Sequence, residues 1–278
     1  MNVLVTGGAG FIGSNTCRLL TETPDIGTIR VLDDLSTGLA SNLDGLDVEL
    51  VVGTICDPAT VLDATDGIDA VVHLAARASV PRSIADPMAT HEVNATGTMH
   101  VLEAARAHGA QVVVASSSSV YGANPVLPKH EDLTPRPVSP YAASKLATET
   151  STLAHGHAYG MDTLAFRFFN VFGPGQRADH VYAAVVPAFL DAALGGRPVT
   201  VHGDGTQSRD FTYVGTVARV LVDAVLRRVS HPTPVNLAFG SRTSLLELLD
   251  LMSGLLGHEI ERDHVESRAG DVPHSQAD

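Results

Sequence analysis

The sequence predicts a doubly wound α/β fold, a parallel sheet with helices on both faces, followed by a smaller α/β lobe. Short β-branched apolar runs alternate with helical patterns through the first part of the chain. Runs that are apolar on successive residues suit strands buried on both faces of a parallel sheet, and their alternation with helices predicts crossover units. Gly7, Gly10 and Gly13 stand directly between the first run and the first helical pattern. After about Asn170 the texture changes to glycine- and proline-punctuated loops (FGPGQ, GGRP, HGDGT).

In chain order, strands are expected at Val3 to Val5, Ile29 to Leu32, Val48 to Val52, Ala70 to Leu74, Val112 to Ala115 and Leu164 to Phe168. Helical stretches at Thr98 to His108 and Tyr141 to His155 supply crossovers, and Val214 to Arg228 and Ser244 to Leu256 give the later lobe its helices. The expected division is a dinucleotide-binding unit over 1–170 and a second lobe over 171–278. No fixed-period repeat is present, which excludes solenoids and propellers.

Composition narrows the function classes. A chain of 278 residues, 44% hydrophobic and 18% charged, can bury a full core and is not disordered. A net charge of −13 with only 18 basic residues argues against a nucleic-acid surface, and an anionic substrate would need a local basic pocket. The two cysteines are too few for a disulfide framework, and Cys17 falls on the apolar face of the first helical pattern. Met1-Asn2 leads straight into a strand without a basic and then apolar leader, and no apolar run reaches membrane-spanning length. A soluble cytoplasmic protein is the expectation.

The glycine turn predicts the cofactor. Glycines there permit a tight turn, close backbone approach to a pyrophosphate and close helix–strand packing, while the helix start offers N–H groups to the anion. The next strand ends in Asp33-Asp34, and an acid about 20 residues after the glycines suits a ribose diol. A carboxylate there repels a 2′-phosphate, so NAD is favoured over NADP.

Tyr141 and Lys145 are spaced to share one face of a helix. The run of serines from Ser116 to Ser119 follows a predicted strand, at the carboxyl end where open α/β sheets bind ligands. A tyrosine near its usual pKa of about 10 is a poor base, and a lysine ammonium beside it favours phenolate. Tyr141 can then remove a hydroxyl proton as a hydride leaves the same carbon for NAD, with Ser117 bonded to that oxygen.

Taken together, TGGAGFIGS, VVHLAA, ASSSSVYG, SPYAASK, RFFNVFGP, SRDFTYV and RAGDVPHS resemble the extended short-chain dehydrogenases, and within them the UDP-hexose 4-epimerases. The resemblance runs over essentially the whole chain. It implies that Ser117, Tyr141 and Lys145 are catalytic, and that oxidation at C4 gives a 4-keto sugar that turns over in the pocket and is reduced on its other face. It implies cofactor contacts at Gly7, Gly10, Phe11, Ile12 and Gly13, at Asp33, Asp34, Ser36, Thr37 and Gly38, and at Thr54 and Ile55. Further contacts fall at Leu74, Ala75, Ala76, Asn94, Tyr141, Lys145 and Phe169. For a UDP-sugar it implies Arg82, Ser117, Ser118, Ser119 and Tyr141, then Asn170, Val185, Val201, Arg209, Arg268, Asp271 and Ser275. Arginine suits diphosphate because its guanidinium pairs with phosphate oxygens bidentately. The second lobe is thereby expected to bind the nucleotide sugar.

Some positions depart from the family's pattern. Thr54 stands where an adenine-contacting Asp is common. Ser118 and Ser119 stand where related dehydratases and decarboxylases carry acids, which favours simple epimerisation. Ser275 leaves room for an acetamido group, whereas Arg82 suits the carboxylate of a hexuronate; N-acetylhexosamine and plain hexose rank above hexuronate, and such shape differences discriminate by about 1 to 3 kcal/mol. Family members continue past Asp278 with a helical tail, so a short or shortened C-terminus is implied. A homodimer is also implied, through helices beginning near Met88 and Tyr141. Dehydratase or decarboxylase chemistry is the alternative enzyme class, and a dinucleotide-sensing regulator the non-enzymatic one. The 13 histidines lack metal-site spacing, so no metal is expected. Glu247, Glu259, Glu261 and Glu266 are expected on a solvated face.

Overall fold

The computed structural model describes residues 1–178, 184–266 and 274–278. The chain begins with β1 (Val3–Thr6), α1 (Phe11–Thr21), β2 (Ile29–Asp33), β3 (Glu49–Val52), α2 (Pro58–Thr65) and β4 (Ala70–His73). It continues through α3 (Val80–Ala85), α4 (Pro87–His91), α5 (Gly97–His108), β5 (Gln111–Ser117), α6 (Pro140–Tyr159) and β6 (Thr163–Phe168). These strands and Val235–Leu237 form a seven-stranded sheet in the order Val235–Leu237, β6, β5, β4, β1, β2, β3, parallel throughout. Strand order therefore reverses between β1 and β4, which opens a crevice at their carboxyl ends.

Successive residues of the central strands serve opposite cores, as a sheet covered on both sides requires. Val3, Val5, Val31, Val72 and Val113 belong to one core, Leu4, Leu32, Val71, Val112 and Val114 to the other. α2 and α5 pack together on one face, α1 and α8 (Val214–Leu226) on the other. The exception is β3 at the sheet edge: Val52 is 64% exposed, because a strand with one neighbour lies beyond the covering helices.

The expected boundary after residue 170 is crossed. Val217, Leu221 and Val225 of α8 are fully buried in the core that holds Val3 and Val5, and Val235–Leu237 extends the same sheet. The sheet needed a helix over β4 and β5 and a partner for β6, and the later chain supplies both. The second lobe is a smaller core of α7 (Val185–Leu194), α9 (Leu245–Leu256) and a parallel strand pair, Val199–His202 with Arg262–Val265. Glu247 is more than a solvated acid: it forms a capping box with Ser244 at the start of α9. No helix among the described residues is long and apolar enough to cross a membrane.

If α8 is part of the sheet's core, Leu221→Ala should lower global stability by about 2–5 kcal/mol. Urea unfolding should then lose α8 and the sheet in one transition; loss of α8 ahead of the sheet would contradict the placement.

Candidate active site

The β1–α1 turn shows why glycine is required. Gly7 has φ +73°, and a Cβ there would lie 2.7 Å from the Ala75 nitrogen after β4. A Cβ on Gly13 would lie 2.2 Å from the Gly7 carbonyl oxygen, so a side chain would push α1 off the turn. Asp33 at the end of β2 is held from both sides: its Oδ2 accepts the Ala9 N–H at 2.9 Å and its Oδ1 the Leu35 N–H at 2.9 Å. Burial raises its pKa, and these backbone bonds work against that rise.

The second half of the site is built by β5 and α6. Ser139 caps α6 by accepting the Ala142 N–H at 3.1 Å, and Pro140 opens the helix at a position that needs no donor. This start places Tyr141 and Lys145 one turn apart, facing Ser117 at the end of β5. Ser119 donates to the Ser117 oxygen from its N–H at 3.2 Å and its hydroxyl at 2.9 Å, so the Ser117 proton is left for another acceptor. Burial raises the Tyr141 pKa, opposed by a hydrogen bond with Ser117. Burial also pushes Lys145 down to about 8, and the buried His73, desolvated and near Lys145, down to about 3.

One cavity of about 920 Å³ joins both halves. It is lined by Gly7, Gly10, Phe11, Ile12 and Gly13, by Asp33, Asp34, Ser36, Thr37 and Gly38, and by Ile55, Leu74, Ala75 and Ala76. Arg82, Ser117, Tyr141, Lys145 and Asn170 also line it. The Lys145 ammonium is buried on this cavity with no hydrogen-bond partner among the described residues. An orphaned ammonium opposite a glycine cradle and an anchored carboxylate fits a dinucleotide, whose ribose hydroxyls would accept from it and whose pyrophosphate would take the cradle.

Other expected residues do not reach the cavity. Thr54 turns away, its hydroxyl accepting the Cys56 N–H at 3.2 Å, while Gly53 and Ile55 face inward. Phe169 is fully buried in a small core with Val120, Tyr121 and Ala277. Asn94 occupies a π-helical turn between α4 and α5; its side chain accepts the Arg77 N–H at 2.7 Å and donates to Ser144 at 2.9 Å, bracing the wall. Ser118 and Ser119 form the turn behind Ser117. Val201 is fully buried in the second lobe's core and Val185 packs against it. Arg209 donates to the Ser208 carbonyl at 2.9 Å, and the Ser275 N–H bonds the same carbonyl at 3.0 Å. Arg268 and Asp271 lie outside the described residues.

The cavity also contains residues that sequence reasoning missed, among them Asn42, Arg77, Val93, Gln176 and Arg177. Asn42 donates to the Ala9 carbonyl at 2.7 Å and so pins the glycine turn. Arg177 directly follows the FGPGQ loop, whose glycines were the available signal; nothing local marked Asn42 or Val93.

Comparison with known proteins agrees with this geometry. Residues 3–238 match the family described as the NAD dependent epimerase/dehydratase family. A UDP-glucose 4-epimerase of Mycolicibacterium smegmatis is 38% identical, covering 100% of this chain and 90% of that protein. A UDP-glucuronate 4-epimerase of Thermodesulfobacterium geofontis is 36% identical, covering 99% of this chain and 87% of that one. The solved UDP-N-acetylglucosamine 4-epimerase of Methanobrevibacter ruminantium M1, in complex with UDP-N-acetylmuramic acid, superimposes with a TM-score of 0.93 at 36% identity, covering 100% of this chain and 89% of that one.

The Lys145 environment gives a signed prediction. Its folded pKa of about 8 lies below the ordinary 10.5, so the folded protein binds fewer protons than the unfolded chain between those values and gains stability as pH rises through them. In cofactor-free protein, Lys145→Met should therefore raise the melting temperature at pH 7 and shrink that gain toward pH 10. A lower melting temperature at pH 7 would show that the ammonium is satisfied without cofactor.

Proposed function

We propose, from the premise that this chain belongs to the NAD dependent epimerase/dehydratase family, that it inverts C4 of a UDP-hexose with NAD as its cofactor. The observation that carries this reading is one cavity in which Ser117, Tyr141 and Lys145 meet the glycine turn and Asp33. Serines, not acids, stand at 118 and 119.

In this reading Gly7, Gly10 and Gly13 receive the pyrophosphate and Asp33 the adenosine ribose. When bound, NAD supplies a two-electron acceptor that the return step restores, so no outside reductant is consumed. Tyr141 takes the C4 hydroxyl proton as the carbon is oxidised and returns it when the ketone is reduced on its other face. Ser117 donates to the C4 oxygen, its own lone pairs already engaged by Ser119. The Lys145 charge offsets burial of a phenolate and its N–H groups orient the ribose. Moving a proton at C5 or C6 would need a second acid–base group, and neither Ser118 nor Ser119 offers one.

The sugar's other substituents follow from the loops. Arg82 and Arg177 line the cavity and would face the diphosphate or a C6 carboxylate. We assign Arg209, Arg268 and Asp271 to the nucleotide end and Ser275 to the sugar's border by the family resemblance. UDP-N-acetylhexosamine and UDP-hexose remain the preferred substrates, and the arginines make UDP-hexuronate the reading to test beside them. The protein is also proposed to work in the cytoplasm as a homodimer, joined across α4, α5 and α6, where Met88 of α4 is 74% exposed, with Ile84 of the preceding α3 62% exposed beside it in sequence.

Incubation with a panel of UDP-sugars should give products of unchanged mass, separable by chromatography, whereas a dehydratase would change the mass. Tyr141→Phe should lower kcat by about 10²-fold or more while NAD stays bound. Retained turnover would overturn the mechanism. Light scattering at micromolar concentration should return twice the chain mass; a monomer would refute the dimer.

A further inference from the structure

Behind the reacting groups lies a charged pair that the chemistry does not use. Glu149 on α6 and Arg167 on β6 each expose 3% of their side chains. Arg167 donates from Nε to Oε2 at 2.9 Å and from Nη2 to Oε1 at 2.6 Å. The hydroxyl of Ser116 donates to the same Oε2 at 2.7 Å. The guanidinium also lies 4.7 Å over the Tyr121 ring.

A buried ion pair is poor as a stabiliser, because desolvation of both charges offsets their attraction and apolar replacements often do as well. A bidentate fork does something that apolar contact does not: it fixes direction and register. The register here is specific. Ser116 precedes Ser117, Glu149 follows Lys145 by one helical turn, and Arg167 lies on the strand that leads to Asn170.

We propose that Ser116, Glu149 and Arg167 are positioning residues that hold the strand bearing Ser117 in register with the helix bearing Tyr141 and Lys145. This rests on the roles given above to Ser117 and Tyr141. If the tie is loosened, Ser117 drifts from the phenol, and the hydrogen bond that opposes the rise in the Tyr141 pKa weakens. The other charged groups sharing the cavity with Tyr141 are Lys145 from its own helix, Arg77 and Arg82 after β4, Arg177 after β6, and Asp33 and Asp34 at the end of β2.

Ser116→Ala and Arg167→Lys keep every formal charge, so they test the register without altering the field. The readout is the tyrosinate absorbance of Tyr141 in NAD-loaded protein, isolated by subtracting the Tyr141→Phe spectrum at each pH. In either variant the midpoint should rise by about half a pH unit or more, and kcat near neutral pH should fall about threefold or more with the KM for the UDP-sugar little changed. Thr65→Val serves as control, since it removes a buried hydrogen bond to the Val61 carbonyl in α2, away from the cavity. Its midpoint should stay where the parent protein's is. An unchanged midpoint in Ser116→Ala, or an equal rise in Thr65→Val, overturns the proposal. A wild-type protein inert on every UDP-sugar would instead count against the epimerase reading, while the titration still decides the tie.

Discussion

The closeness of the β1–α1 turn to the end of β4 governs everything else in this site. Gly7 leaves no space for even a methyl group beside Ala75, and Gly13 none beside the Gly7 carbonyl. Because the sheet reverses its order between these strands, the tight approach sets the floor of the crevice. Asp33 then closes one end, held by the Ala9 and Leu35 N–H groups, and β5 brings Ser117 to the other. Any side chain at the turn would shift α1 and with it the Ala9 contact to Asp33, so cradle and carboxylate form one mechanical unit.

Local patterns in the sequence reveal the parts of the site whose geometry is local. The glycine turn, Asp33 at a strand end, and Tyr141 and Lys145 one turn apart each depend on a few neighbouring residues, and the structure brings all of them to one cavity. The six strands of the first part were legible for the same reason, each lying within about two residues of its expected bounds. Long-range features were not. Val235–Leu237 is three residues long and becomes a strand only because β6 lacks a neighbour on that side. The family resemblance puts Thr54 against the cofactor, but its hydroxyl is taken by the turn into α2. Asn94 shows the opposite case, a residue near the site whose side chain is spent bracing Arg77 and Ser144 across a π-helical turn that no periodicity announces.

The interior is more polar than a pure packing argument allows. His73 bridges Thr6 at 2.7 Å and Thr98 at 2.9 Å as a neutral ring, which ties β1 and β4 to α5 without a charge. Thr98 and Thr148 both donate to the Asn94 carbonyl, at 2.6 and 2.7 Å, and so join α5 to α6. These bonds satisfy groups that would be costly if left unpaired in a low dielectric. Against that background Lys145 stands out, since it alone among the buried groups just described has its charge turned to the cavity without a partner. A cation held at the cavity wall in this way concentrates binding energy where a ligand supplies what the fold withholds.

Two separable layers follow from this arrangement. The proposed C4 chemistry falls to β5 and α6, elements tied by a helix cap and by the buried Glu149–Arg167 fork. The contacts able to sense a sugar's other carbons come from the segments after β4 and β6, which carry Arg82 and Arg177. Relatives acting on glucose, glucuronate and N-acetylglucosamine are all similar to this chain at 36–38% identity. Overall similarity therefore tracks the rigid layer and says little about the loops. Substituent preference is a difference of a few contacts, on the order of 1 to 3 kcal/mol, set on loops that can change without disturbing the register of Ser117 and Tyr141. A fold built in this way keeps one reaction fixed while its choice of hexose remains free to vary.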